Sequence, residues 1–317
     1  RAPGALRLGR RTPTPNLRIG CGRLPVGFDF IGKVCYFTHM DTRSCKTICL
    51  VHDLSFAGGS SLAAMLPVTA ACGCRAIPVP TALLSTHTGF PSPAVLDTAD
   101  FAVRAAAHFL SVGLTADTVY SGYLMNENGK TAVDAVRAVF PLAYRIHDPA
   151  FADRGRLYTG MTDRLIDCHR DLAAGARLIL PNVSEALALC GHEPSARLDG
   201  GRLRELCRSL THDFAPAVIT GVELDGGRFN VVADESGVSR IPYRAVPGSY
   251  PGTGDVFGAI VAALITRGAG LTAAVQRAAA IMTETVAGTN ALGQPAPGGI
   301  AVEIAVRLAE RSIYEAE

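Results

Sequence analysis

From Lys46 onward the hydrophobic positions switch regularly between two periods. "KTICLVHD" is a short β-branched and apolar run with polar ends, the pattern of a buried strand. "SSLAAMLPVTAACG" predicts a helix, with serine near its start and Gly73 near its end. "RAIPVP" predicts a strand and "ALLSTHTG" a second one running into a loop, and "LDTADFAVRAAAHFLSVG" is helical, capped by Asp97 or Thr98. The alternation goes on through strand "ADTVYSGYL", helix "NENGKTAVDAVRAVFP", strand "AYRIHDP", helix "TGMTDRLIDCHRDLAAG" and strand "ARLILPN". Helices "VSEALALCG" and "RLRELCRSLTH" and strand "PAVITGV" complete it.

Strand and helix alternating about six times predict an α/β fold, with a central, mostly parallel sheet and helices on both faces. The stretch 222–246 breaks the rhythm, and its Asp225-Gly226-Gly227 turn predicts a small antiparallel edge or lid. Three helical stretches follow, at 253–268, 271–288 and about 298–315. In such sheets ligands bind beyond the carboxyl ends of the strands. Polar residues gather at those ends: "HDLS" (52–55), "STHTG" (85–89), "SGY" (121–123), "HDP" (147–149), "PN" (181–182) and "TG" (220–221). One polar strand end carries no message; six in succession suggest a site.

Composition narrows the picture. The 317 residues are 48% hydrophobic, enough for a sizeable core. The longest apolar stretch, Val256 to Ile265, suits a buried helix and is too short for a membrane span. Residues 1–39 hold seven basic residues against Asp29 alone, so the rest of a chain of net charge +2 is mildly acidic. That balance argues against nucleic acid as a partner. Nine cysteines lie scattered, with no CxxC pair and no zinc spacing, and read as small buried hydrophobes in a reducing cytoplasm. Residues 1–39 are Arg-, Gly- and Pro-rich without sustained periodicity, and the first methionine is Met40. They read as a non-native or disordered leader, with 40–317 as one domain.

The chemistry concentrates at "PGTGD", Pro251 to Asp255, ahead of the long apolar helix. Glycines before a helix let backbone N–H groups converge, and the helix N-terminus favours an anion. A carboxylate there would repel a phosphate, but it could take the proton of a hydroxyl attacking one. The alternative is a simple first-turn acid capping the helix. Asn182 and Glu185, three apart at a helix start, share one face and suit a metal or a reciprocal cap. His87 could be a loop histidine bonded to backbone, and Tyr123 a core residue. His52 and His147 read as structural.

"GTGD" before an apolar helix resembles the signature of ribokinase-like (PfkB-type) kinases. Over about 46–290, "VHDLSFAGGSSLAAMLPVTAACG", "VPTALLSTHTGF", "YSGYL", "HDPAFADRGRLY", "LPNVSEA", "VITGV" and "PGSYPGTGDVFGA" follow the order seen in pyridoxal/pyridoxamine kinases. The resemblance implies a ribokinase-like fold and ATP-dependent phosphorylation of the 5′-hydroxymethyl of a B6 vitamer. It implies Asp255 as the base and Gly252, Thr253 and Gly254 as the anion hole. Thr220, Gly221, Asp148 and Asn182 fall to ATP; Asn182, Glu185 and Asp153 fall to Mg²⁺ through water. Asp53, Ser55, Thr86, His87, Thr88 and Tyr123 fall to the vitamer side. A homodimer and activation by a monovalent cation are further family traits. Related hydroxymethylpyrimidine kinases often carry Cys at the place of Asp255, so the acid favours a B6 vitamer over that pyrimidine; the same fold acting on a sugar, a nucleoside or that pyrimidine is the alternative. Pro251 departs from the polar residue of the nearest relatives and leaves vitamer preference open. A vitamer-binding protein without catalysis is the reading from another class.

Overall fold

The computed structural model describes residues 45–293 and 295–314. The expected leader at 1–39 lies outside them. Strand β1 (Thr47–Ser55) shows why the sequence folds as it does. Its alternate residues part between two cores: Ile48 and Leu50 face one, Cys49 and Val51 the other. A strand apolar on both faces belongs in the middle of a sheet covered on both sides.

Helix α1 (Ser61–Ala71) follows, then β2 (Arg75–Leu84), which pairs in parallel with β1. The two runs read as separate strands are thus one. Pro78 and Pro80 are tolerated because β3 (Val95–Asp97) pairs with β2 only at 82–84, leaving 75–80 with an open side. Neither β3 nor its antiparallel pairing was legible in the helical pattern that contains it. After α2 (Ala99–Ser111) come β4 (Thr118–Ser121), α3 (Glu127–Val139) and β5 (Tyr144–His147). A small hairpin of β6 (Ala152–Asp153) and β7 (Arg156–Leu157), unforeseen in the sequence, leads to α4 (Asp163–Ala174).

Next stand β8 (Leu178–Ile179), α5 (Val183–Leu189), α6 (Gly200–Asp213) and β9 (Ala217–Leu224). The antiparallel edge is present, as β10 (Gly227–Asp234) and β11 (Gly237–Pro242) beside β9. The full order is β11-β10-β9-β8-β5-β4-β1-β2-β3, parallel from β9 to β2. The chain closes with α7 (Thr253–Thr266), α8 (Leu271–Ala291) and α9 (Val302–Tyr314). A 3₁₀ turn at Ala296–Gly298 precedes α9, which therefore begins later than the expected 298.

Helix α7 is buried without interruption from Val256 to Leu264. A helix apolar all round must be enclosed, and this one packs between α1, α8 and α9 on one face of the sheet. Its N-terminus is thereby fixed at the rim where the parallel strands end. Four of the described cysteines, Cys49, Cys72, Cys74 and Cys207, are buried as expected, but Cys45 is exposed and Cys168 and Cys190 are half-buried. No helix among the described residues is long and apolar enough to cross a membrane.

Candidate active site

Three glycine-bearing loops meet at the start of α7. Gly252, the N-cap, has φ +88°, a left-handed backbone that favours glycine. A Cβ on it would run into the carbonyl oxygen of Gly59, and a Cβ on Gly299 into that of Gly58. Ile300 N also donates to Pro251 O at 2.9 Å, tying the loop before α9 to the loop before α7. Backbone lies directly on backbone, which only residues without side chains permit. Around Gly254 an added Cβ would meet nothing within 4 Å, so its face is open to the groove.

Asp255 sits in the first turn of α7, with 17% of its side chain exposed. Its Oδ2 accepts from Ser61 N at 2.7 Å. Ser61 itself is held at φ +56°, an uncommon conformation for a non-glycine residue, and that conformation accompanies its aim at the carboxylate. Burial pushes the Asp255 carboxyl up, while His52 and the Ser61 amide pull it back.

His52 is where the structure departs most from the sequence reading. Its Nδ1 lies 2.7 Å from Asp53 Oδ1 and 2.9 Å from the Asp53 amide. Its Nε2 lies 3.4 Å from Asp255 Oδ1 and 3.4 Å from the Tyr123 amide. Gly122 is required beside it, because a Cβ there would strike the imidazole. Burial opposes the imidazolium, but Asp53, Asp255 and Asp148 carry His52 up to about 9. Asp53 is fixed in turn by Ser55 Oγ, which donates to Oδ2 at 3.0 Å.

Asp148, beyond the end of β5, accepts from Tyr120 Oη at 2.5 Å. Burial and the nearby Asp255 raise it to about 7, against the pull of the Tyr120 hydroxyl and of His52. Gly258, one turn into α7, makes room for that hydroxyl; any Cβ there would collide with it.

Asn182 and Glu185 cap α5 reciprocally. Asn182 Oδ1 accepts from Ser184 N and Glu185 N at 2.9 and 3.1 Å, and Glu185 Oε2 accepts from Asn182 N at 2.9 Å. Glu185 Oε1 also takes the amides of Phe151 and Ala152 at 3.1 and 3.3 Å. Burial and Asp148 push Glu185 well above the usual carboxylate range, while these amides pull it down.

His52, Asp53, Ser61, Asp148, Asn182, Glu185 and Asp255 open onto one groove of about 1100 Å³ along the rim. Of the residues singled out from sequence, Asp53, His87, Thr88, Tyr123, Asp148, Asp153, Asn182, Glu185, Thr220, Gly221 and the Gly252–Asp255 turn lie on its wall. Ser55 and Thr86 do not: Ser55 is fully buried and acts on Asp53. His87 reaches the wall, but both ring nitrogens meet backbone, Nδ1 accepting from Gly89 N at 3.0 Å and Nε2 lying 3.1 Å from Pro297 O. Thr220 N donates to Pro181 O at 2.9 Å, and Gly221, at φ +71°, turns its amide toward Asn230 Oδ1 at 3.4 Å. His147 faces away, hydrogen-bonded with Ser121 Oγ at 2.9 Å and His169 Nδ1 at 3.1 Å. Sequence reasoning missed His52 and the paired glycines of the 56–60 loop. Two adjacent glycines ahead of a helix were the one local signal available.

Comparison with known proteins places this arrangement. The family described as phosphomethylpyrimidine kinase matches residues 56–298. Among solved structures, the pyridoxal kinase of Lactobacillus plantarum is 31% identical over 86% of this chain and 99% of its own, with a TM-score of 0.80. A candidate phosphomethylpyrimidine kinase from Bacteroides thetaiotaomicron, crystallised with pyridoxal, is 28% identical over 84% and 96%, with a TM-score of 0.78. The pyridoxal kinase of Leishmania donovani, in complex with ADP and pyridoxine, shares the fold at 22% identity over 84% and 96%, with a TM-score of 0.70. A search of curated proteins gives no match. The chain belongs to the phosphomethylpyrimidine kinase family and is a kinase of ribokinase-like fold.

Proposed function

We propose that this kinase transfers the γ-phosphoryl group of ATP to the 5′-hydroxymethyl of a vitamin B6 vitamer. The observation that carries the reading is the placement of Asp255: one carboxylate, at the mouth of a buried helix, facing a groove beside open first-turn amides. Asp255 takes the hydroxyl proton as the alcohol oxygen bonds to the γ-phosphorus. The bond from that phosphorus to the β,γ-bridging oxygen breaks, and ADP leaves with its electrons.

The first-turn amides of α7 have no intrahelical carbonyl to reach. The Thr253 amide turns back toward Tyr250 O at 3.4 Å, leaving Gly254 and Asp255 as the donors best placed for the transferring group. Asp53, Tyr123 and Thr88 border the alcohol's end of the groove, and the His87 ring supplies a surface rather than a free nitrogen. Thr220 and Gly221, with Asp148 and Asn182, border the nucleotide's end.

A Mg²⁺ ion fits this donor set. Burial and the nearby Asp148 disfavour the ionised form of Glu185, which a cation at this wall would restore. Among the described residues no three His, Cys, Asp or Glu side chains could hold a metal by themselves. Mg²⁺ tolerates that, because it keeps several waters and accepts one or two carboxylates with substrate phosphates. Bound there, it would neutralise charge on the phosphates. Asn182, Glu185 and Asp153 are the residues that would hold it, chiefly through water.

Hydroxymethylpyrimidine is the second reading, favoured by the description of the matching family. A panel decides: Mg-ATP with pyridoxal, pyridoxine, pyridoxamine, hydroxymethylpyrimidine, a sugar and a nucleoside, products resolved by mass. A B6 vitamer is expected to lead in kcat/KM by orders of magnitude. A lead by the pyrimidine, or turnover of none, overturns the proposal.

A further inference from the structure

The groove wall holds one buried imidazole that phosphoryl transfer alone does not explain. His52 is 2% exposed, sits at the end of a central strand, and lies between two carboxylates contributed by different elements. Asp53 stands beside it on β1 and Asp255 across from it on α7; Asp148 beyond β5 is a third carboxyl near enough to favour the imidazolium when ionised. The other titratable groups around the pair are His87, which faces Asp255 from the loop after β2, Tyr123 beside Asp53, and the uncharged His147. Two features keep the ring in place: the missing Cβ of Gly122 gives it room, and the 2.7 Å contact with Asp53 fixes its rotation.

We propose that His52 is a positioning residue for phosphoryl transfer, an imidazolium wedged between Asp53 and Asp255 that keeps the base ionised and aimed. The inference rests on the reading of Asp255 as that base. As an imidazolium the ring turns Nδ1–H to Asp53 Oδ1 at 2.7 Å, in competition with the Asp53 amide that points at the same nitrogen from 2.9 Å, and Nε2–H to Asp255 Oδ1, in competition with the Tyr123 amide at 3.4 Å; Ser61 N holds the other oxygen of the Asp255 carboxylate. A half-buried carboxylate is drawn toward its neutral form, in which it cannot accept the proton of an alcohol. A fixed cation 3.4 Å away opposes that drift. Asp53 then acts on catalysis through His52, and Ser55 through Asp53.

The test has two arms. In His52→Gln the acid limb of kcat against pH should move up by about one to three units, the effect of removing an opposite charge at this range. At pH above that limb, activity should largely return. In an Asp255→Asn background the same substitution should change the residual rate little, because its target is gone. An unmoved acid limb, or an equal loss in both backgrounds, overturns the inference. The second arm needs no variant at His52: ¹H–¹⁵N imidazole spectra of the wild-type protein should show both His52 nitrogens protonated at pH 7, with the midpoint lowered in Asp255→Asn. An unprotonated nitrogen at pH 7, whether Nδ1 accepting from the Asp53 amide or Nε2 accepting from the Tyr123 amide, also overturns it. If the wild type phosphorylates none of the alcohols, the proposed reaction fails, and the spectra still decide the state of His52.

Discussion

Gly252 and Gly59 touch through their backbones, the Cα of the first lying against the carbonyl oxygen of the second. Gly252→Ala therefore faces two penalties, a left-handed φ of +88° and a collision with main chain that cannot swing aside. The loop must shift, at a cost of about 2–4 kcal/mol in unfolding free energy, with kcat lost as the cradle opens. Gly254→Ala is the contrasting case. Nothing lies within 4 Å of the added methyl and the residue is already helical, so stability should hold or rise by up to about 1 kcal/mol. Its methyl projects where the transferring phosphoryl would sit, so kcat should fall while the melting curve does not. Urea titrations beside steady-state rates for the two variants check the contrast; equal loss of stability in both would refute it.

Asp255→Asn leaves an oxygen to accept from Ser61 N and removes the proton acceptor. Folding should survive, since the wild-type carboxyl is itself disfavoured by burial. A fall in kcat of about 10²–10⁴ with nearly unchanged vitamer affinity is expected. Calorimetric titration with pyridoxal together with single-turnover rates would show it. Undiminished turnover would remove Asp255 from the chemistry.

How much of this was legible from the chain depends on the range of the interactions involved. The period of the apolar residues located most strands and helices, because each buries its own face. The Asp225-Gly226-Gly227 turn marked the antiparallel edge for the same local reason. β2 was split because two prolines look like breakers, and only its open edge makes them harmless. Asp255 stood out through its neighbours Gly252 and Gly254. His52 did not, because its partner is 203 positions away and its enabling contact is an absence, the missing Cβ of Gly122. A register shift between β1 and β2 at His52/Asp53 adds to this, since simple alternation no longer says where either side chain points.

His169 is fully buried behind the sheet, with Nδ1 on His147 and Nε2 without a partner. Burial lowers its pKa to about 3, and lowers that of His147 well below 6.5. Both are neutral in the folded protein, while the unfolded chain binds protons below pH 6.5. A depressed folded pKa means that the stability is present above 6.5 and drains as pH falls toward 3. Each such group adds a slope of up to about 1.4 kcal/mol per pH unit. His169→Phe should flatten the fall between pH 6.5 and 4 by up to that amount, even though losing the partner of His147 lowers stability throughout. Unfolding free energies at pH 7, 6, 5 and 4 would reveal the change in slope, and parallel curves for the two proteins would contradict it.

Glu185 and Asp153 separate a cap from a metal site. Glu185 accepts three backbone amides, so Glu185→Gln must turn an NH₂ group toward one or more of those donors, a loss of about 1–3 kcal/mol. A drop in activity in that variant alone would therefore say little about Mg²⁺. Asp153 carries no such duty: its side chain is 52% exposed and its Oδ2 lies 3.7 Å from Arg154 Nε. Asp153→Asn should leave the unfolding curve where it is and raise the Mg²⁺ concentration for half-maximal rate, because one negative charge is lost from the ion's surroundings. Glu185→Gln should do both. Rates measured against Mg²⁺ at saturating ATP, beside urea titrations, resolve the two effects. If neither variant changes the Mg²⁺ dependence, the carboxylates of this wall serve the fold alone, and the ion is held by the nucleotide without them.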